Sequence, residues 1–126
     1  VVVVTNQQGI GKGLMTHDDL EEIHDHMQTG LEPFGAKIDR FYYCSMLASD
    51  KNNCRKPNPA MGLWAQKDFP EIDFSKSIMV GDSISDMEFG KNLGMITVFI
   101  SDEKKDTIFT DFHTTTLADF ASLVER

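Results

Sequence analysis

Short apolar runs of strand length alternate along this chain with segments of helical periodicity, and that alternation leaves few folds open. Residues 1–5 form a continuous β-branched run, the pattern of a parallel strand covered on both faces. Residues 38–44 form a second, aromatic-rich strand, and 77–80 and 95–100 two more. Thr16 followed by Asp19 reads as a capping box, and Leu20, Ile23, His24, Met27 and Leu31 recur at helical spacing, predicting a helix that ends near Gly30 or Gly35. Pro59 opens a helix running to about Asp68 with Trp64 on its apolar side, and 85–93 is a third helix. Residues 111–114 suit a short edge strand and 117–124 a closing helix. Such alternation implies right-handed crossovers, hence a single α/β domain over 1–126, a three-layer Rossmann-like parallel sheet with helices on both faces. Sites in such folds gather beyond the carboxyl ends of the strands.

Composition narrows the partners. A formal charge of −8 repels a polyanion, and the basic pairs Arg55-Lys56 and Lys104-Lys105 are too isolated to form a nucleic-acid surface. No apolar run approaches the roughly 20 residues that span a bilayer, so a membrane partner is not expected. Cys44 and Cys54 enclose a polar loop; in the cytoplasmic protein expected here, such a pair is read as free thiols or metal ligands rather than a disulfide.

Three polar clusters follow apolar strands. In Thr5-Asn6-Gln7-Gln8-Gly9-Ile10-Gly11-Lys12-Gly13 a hydroxyl leaves a strand end into a glycine-rich turn, which suits either an anion cradle of backbone N–H groups or a plain flexible turn. Arg55-Lys56-Pro57-Asn58-Pro59 holds two cations on a proline-stiffened loop, as phosphate binding requires, although a solvated surface loop has the same composition. In Val80-Gly81-Asp82-Ser83-Ile84-Ser85-Asp86, Asp82 ends a strand where a carboxylate needs a partner and can hold a hard cation such as Mg²⁺. Asp86, in the first helical turn, has a purely structural explanation as a helix-terminus charge.

TNQQGIGKG, CRKPNPAMG and MVGDSISDMEFG, in this order and spacing, resemble the second, third and fourth signature motifs of the haloacid dehalogenase superfamily. The wording is closest to the branch of histidinol-phosphate and heptose-bisphosphate phosphatases. The resemblance implies that Thr5 hydrogen-bonds a transferring phosphate beside the Asn6 N–H, and that Lys56 neutralises the phosphoryl group and the nucleophile. It implies further that Arg55 and Lys12 bind substrate, that Asp82 holds Mg²⁺, and that Asp86 supports metal waters or Lys56. The family's nucleophilic aspartate and its acid–base aspartate sit in a DxDGT-like motif on a central strand, and this sequence contains no such motif. The resemblance therefore implies a longer protein, with on the order of a few tens of residues ahead of Val1, or another segment or chain that fills the central strand position.

The zinc-binding members of that branch use a Cys-x-His pair and a Cys-x-Cys pair. Here Met46 and Asn52 replace two of the ligands, so no structural zinc is expected. His17, His24, His26 and His113 have no counterpart role and are read as satisfied or exposed side chains, and the Met and Phe residues as core. The function implied is a Mg²⁺-dependent phosphomonoesterase of a small phosphate ester, working through an aspartyl-phosphate. The alternatives are a polynucleotide 3′-phosphatase, which the acidic balance disfavours, and a catalytically silent domain that binds phosphorylated ligands or protein.

Overall fold

The computed structural model describes residues 1–103 and 108–124, so the Lys104-Lys105 pair lies outside the described residues. Two compact units are present: Val1–Arg55 with Ala60–Asp68, and Lys56–Pro59 with Phe69–Arg126.

In the first unit, β1 (Val2–Asn6) pairs in parallel with β2 (Arg40–Cys44), Val2 opposite Arg40 and Asn6 opposite Cys44. Parallel neighbours need a crossover, supplied by α1 (Gln8–Gly11), α2 (His17–Leu31) and a short 3₁₀ turn at Glu32–Phe34. The start of α2 is the expected capping box: Thr16 Oγ1 accepts from the Asp19 N–H at 3.1 Å, and Asp19 Oδ2 accepts from the Thr16 N–H at 2.8 Å. Beyond α2, Gly35 adopts the left-handed conformation, φ 69°, that lets the chain turn back toward β2.

The period of two along β2 assigns a helix to each face. Tyr42 is buried and its hydroxyl donates to Asp68 Oδ2, 2.6 Å away, at the end of α3 (Ala60–Asp68). Phe41 and Tyr43 point the other way, toward α2: Phe41 stacks on His24 with 4.1 Å between ring centroids, and the Tyr43 hydroxyl lies 2.8 Å from His17 Nδ1. Burial and then Asp68 push the Tyr42 hydroxyl up to about 12, so it remains a donor. Arg40, 3.2 Å from Asp68, offsets the negative charge there.

Two expectations are corrected in this unit. Trp64 is not on the inner side of α3 but exposed, the buried side of the helix being formed by Met61, Gly62 and Ala65. β1 is half-buried along its length rather than covered on both faces. Among the described residues β2 is its sole neighbouring strand.

In the second unit β3 (Ile78–Gly81), β4 (Ile96–Ile100) and β5 (Phe112–Thr114) form a parallel sheet in that order. The helix α4 (Ile84–Asn92) crosses from β3 to β4, and α5 (Leu117–Val124) follows β5. Met79, Met87, Phe89, Met95, Val98 and Phe99 form the core. Gly90 brings α4 onto the sheet: a Cβ there would stand 2.6 Å from Thr97 Cγ2 and 2.9 Å from Met79 Cβ. Thr97 is fully buried, its hydroxyl donating to the Phe109 carbonyl and its N–H to Asp111 Oδ2 at 2.9 Å. Lys91 Nζ donates to the same Asp111 carboxylate, tying the end of α4 to the approach to β5. That bond and then the Thr97 amide hold the Asp111 carboxyl below its ordinary value.

The α/β class, its parallel pairing and all expected strands and helices are present, with ends within two residues of expectation. The added elements are α1, a single helical turn where a flexible loop was the plainer reading, and the 3₁₀ turns at Glu32–Phe34 and Phe74–Lys76.

Gly90→Ala tests the packing. Helix propensity alone favours Ala by about 1 kcal/mol, whereas forcing a methyl into a filled core costs roughly 1–3 kcal/mol. With the Thr97 methyl and the Met79 Cβ, both buried and close to the backbone, as the obstacles, urea denaturation is expected to show a net loss of about 1–2 kcal/mol. Asp111 sets an acid dependence: because folding depresses its carboxyl, its contribution is present above the unfolded-state value near ~3.9 and is lost as pH falls through the folded value. The melting-temperature deficit of Asp111→Asn is therefore expected to be larger at about pH 7 than at about pH 3.

Candidate active site

In the second unit the polar groups collect where β3 enters α4. Gly81 ends the strand, and a Cβ on it would lie 2.4 Å from both Cβ and Oδ2 of Asp86, so only glycine lets that side chain fold back over the strand end. Ser83 caps α4 in a second capping box. Asp86 Oδ2 accepts from the N–H groups of Asp82 and Ser83, each at 3.2 Å, while Asp86 N–H donates to Ser83 Oγ at 3.3 Å. Asp86 Oδ1 accepts from Lys56 Nζ at 2.5 Å, and the side chains of both partners are about nine-tenths buried (11% and 7% exposed). The Lys56–Pro57 bond is cis, and the Pro57 carbonyl accepts from Asn92 Nδ2 at 3.0 Å at the far end of α4.

Asp82 differs from its neighbour: it is exposed, and among the described residues its carboxylate accepts no hydrogen bond. The sequence argument that Asp82 sits at a buried strand end and needs a partner is thereby corrected. The strand end opens to solvent, and the carboxylate that burial forces to find a partner is Asp86. A solvent-facing carboxylate suits Mg²⁺, which binds through one or two carboxylates and retains several waters. Among the described residues no three His, Cys, Asp or Glu side chains cluster as a protein-built metal cage.

The first unit holds the other candidates. Thr5 Oγ1, at the end of β1, accepts from Gln7 Nε2 at 3.0 Å, and the Gln7 N–H donates to the Cys44 carbonyl at 2.8 Å. Beyond it the glycine-rich segment winds into α1 and spends its amides on itself. Ile10, Lys12, Gly13, Leu14 and Met15 donate to the carbonyls of Gln7, Gln8, Ile10, Gly9 and Gly9. An anion cradle from that loop is thus restricted to the amides nearest the strand end. Gly11 is fixed by contact, since a Cβ would meet the Ser45 carbonyl oxygen at 2.3 Å. Lys12 is exposed. Arg55 is half-buried, with its N–H on Asn53 Oδ1 at 2.9 Å and its Nη1 buried without a hydrogen-bond partner.

Cys44 and Cys54 are joined in a disulfide, with Cα atoms 5.6 Å apart, which overturns the expectation of free thiols. The end of β2 and the residue before Arg55 are brought within bridging distance by the loop between them, a proximity that spacing alone does not reveal. Of the histidines, His17 and His24 are engaged by Tyr43 and Phe41, and His113 stacks on Phe99 with its Nε2 buried and unpartnered. Burial lowers the His24 pKa, partly countered by Asp25. Ser83 was missed by sequence reasoning, although Ser83-Ile84-Ser85-Asp86 is itself a capping-box signature.

Parallel strands whose carboxyl ends carry a threonine hydroxyl in one unit, and a lysine–aspartate pair beside an open carboxylate in the other, define an α/β protein equipped for anion and cation chemistry. The model of the HAD-hydrolase-like family matches residues 53–119. The chain belongs to that family. It is 44% identical over 93 residues to the D-glycero-alpha-D-manno-heptose-1,7-bisphosphate 7-phosphatase of Mycobacterium bovis, covering 74% of this chain and 49% of that protein. It is 37% identical over 117 residues to the Burkholderia mallei enzyme of the same name, covering 86% and 61%. The solved structure of D,D-heptose 1,7-bisphosphate phosphatase from B. bronchiseptica, complexed with magnesium and phosphate, aligns with a TM-score of 0.89 at 26% identity, covering 99% of this chain and 73% of that one. The chain spans about half the length of the mycobacterial relative.

The ion pair makes a test independent of activity. Lys56→Met leaves the Asp86 carboxylate buried without its cation, and breaking such a pair costs roughly 3–5 kcal/mol. Because two backbone amides still solvate Asp86, a loss near ~3 kcal/mol is expected in chemical denaturation. The double variant Lys56→Met/Asp86→Asn, which removes both charges, is expected to lose less than the single one.

Proposed function

We propose that the protein is a Mg²⁺-dependent phosphomonoesterase of a small phosphorylated metabolite, with a heptose bisphosphate as the leading substrate, acting in the cytoplasm. The observation that carries this reading is the arrangement around Asp86. One buried carboxylate fixes the Lys56 ammonium and receives the Asp82 amide, while the Asp82 side chain stays open to a cation. The names of the heptose-bisphosphate relatives support the substrate; the net charge of −8 weighs against a polynucleotide.

Each residue has a role in this reading. Lys56, held by Asp86, neutralises charge on the transferring phosphoryl group, a stabilisation made effective by being oriented in advance. Thr5 donates a hydrogen bond to a phosphoryl oxygen, with the Asn6 N–H beside it. Arg55 grips an anionic group of the substrate: its unpartnered Nη1 gains a charge-assisted hydrogen bond on binding. Lys12 assists from the substrate side. Asp82 holds Mg²⁺, which when bound supplies Lewis-acid stabilisation of phosphoryl oxygens. The nucleophilic aspartate that forms the aspartyl-phosphate, and the aspartate that protonates the leaving oxygen and then activates water, come in this reading from a strand carried by another segment or chain.

Phosphate release from D-glycero-D-manno-heptose 1,7-bisphosphate by the protein in its natural full-length form tests the proposal. Turnover is expected with Mg²⁺ and not with excess chelator. Asp82→Ala is expected to lower kcat at least ~100-fold in Mg²⁺ with the fold intact. Undiminished turnover by that variant removes the metal role, and no release in any condition removes the phosphatase reading.

A further inference from the structure

We infer that the Cys44–Cys54 disulfide is a redox-sensitive positioning element for Arg55, and that its reduction by a dithiol weakens the hold of Arg55 on the anionic part of the substrate. This rests on the substrate-binding role proposed above for Arg55. Cys44 is the last residue of β2, 1% exposed, with its carbonyl bound by the Gln7 amide. Cys54 immediately precedes Arg55. The disulfide therefore ties the residue before the guanidinium to the rigid end of a strand.

On its C-terminal side Arg55 is followed by Lys56, held by Asp86, so what the disulfide fixes is the N-terminal side of Arg55 and the loop that leads to it. Among the described residues the hydrogen bonds of the loop 45–54 are local or reach only α1: the Leu47 N–H to Asp50 Oδ2 at 2.8 Å, Asn53 Nδ2 to the Asp50 carbonyl at 2.9 Å, and the Ala48 N–H to Gln8 Oε1 at 2.7 Å. Most of the loop is exposed. Among the described residues Arg55 itself has one hydrogen-bonded anchor, its N–H on Asn53, a residue of the same loop, and its Nη1 has no hydrogen-bond partner. Opening the covalent ring returns backbone freedom to the loop, and a guanidinium whose geometry depends on that loop loses its orientation before it loses its charge.

The chemistry closes without an unnamed reactant. A thiolate of a dithiol attacks Sγ of Cys54, the half-buried partner, forming a mixed disulfide and releasing the Cys44 thiolate. The second thiol of the reductant, deprotonated, displaces Cys54 and leaves as the cyclic disulfide. Two electrons have passed from the dithiol to the protein, and both cysteines end as thiols. In the reducing compartment proposed for this protein, a disulfide is more often a transient or sensing bond than a permanent brace.

The test uses the full-length protein, oxidised and then reduced with dithiothreitol, with the state of the bond read by mass after alkylation. On reduction KM for the heptose bisphosphate is expected to rise roughly tenfold with kcat within about twofold, the signature of lost ground-state binding rather than lost chemistry. Cys54→Ser is expected to reproduce the high KM and no longer respond to the reductant, and in Arg55→Ala the response of KM to reduction is expected to vanish. Amide exchange over 45–55 is expected to quicken on reduction, whether or not turnover occurs.

An unchanged KM with the bond demonstrably cleaved overturns the inference, as does a response that persists in Arg55→Ala, or cysteines found unpaired in the oxidised protein. If neither state releases phosphate, the phosphatase reading fails instead. Calorimetry with inorganic phosphate then decides: roughly tenfold weaker binding on reduction upholds positioning, and equal affinity overturns it.

Discussion

The carboxylate of Asp86 is the constraint on which the second unit turns. A buried carboxylate is costly unless its lone pairs are met, and here one oxygen takes two backbone amides while the other takes an ammonium. The amides belong to Asp82 and Ser83, so the backbone leaving β3, the first turn of α4 and the Lys56 side chain are all referred to one group. Gly81 makes the arrangement sterically open, since any side chain there would occupy the volume of the carboxylate. The positive end of the α4 dipole adds to the same field. Support extends behind it: Gly90 seats α4 on Thr97 and Met79, and Lys91 joins Asp111 beyond them.

The first unit is organised on the opposite principle. Its candidate groups stand half-buried or exposed, and their partners hold backbone rather than charge. Thr5 has a neutral amide beside it, Lys12 faces water, and Arg55 carries a buried nitrogen with no acceptor. An unsatisfied guanidinium N–H costs of order 1–3 kcal/mol, and in the proposed reading a substrate oxyanion relieves that cost. What compensates within the fold is local rigidity: the α1 turn, locked by Gly11 against Ser45, and the disulfide at the end of β2.

Most of the architecture was legible because it rests on local rules. Unbroken β-branched runs marked parallel strands, Thr16 with Asp19 marked the start of α2, and Pro59 stands directly before α3. What escaped depends on distances between residues far apart in the chain. Whether Trp64 faces inward turns on which side of α3 meets the rest of the unit, here that of Met61, Gly62 and Ala65, which the sequence of so short a helix does not single out. The disulfide needs the chain after β2 to return within 5.6 Å, whereas spacing and compartment favoured thiols. Burial was assigned to Asp82, which is exposed, whereas Asp86 is the helix-terminus charge expected of it and is also buried, because a residue one position past a strand end can turn outward while one in the first helical turn folds back. The family resemblance had linked Asp86 to Lys56 as one of two options; nothing in the spacing distinguishes them.

The charge balance of the second unit supports the proposed metal on grounds other than family resemblance. Lys56 is already matched by Asp86, so the open carboxylate of Asp82 leaves this cluster with a net negative charge, in a protein that is itself at −8. A phosphate dianion approaching such a cluster meets repulsion that Lys56, its charge already offset by Asp86, counters only in part. A divalent cation on Asp82 inverts the sign of the cluster and leaves the ion pair intact, which is how bound cations commonly dominate local electrostatics. The pairing of Asp86 with Lys56 and the solitude of Asp82 are thus two halves of one electrostatic condition. In the proposed reading a lysine is held in place by a charge that cancels it, and the second carboxylate is left to a cation that takes over attraction of the substrate.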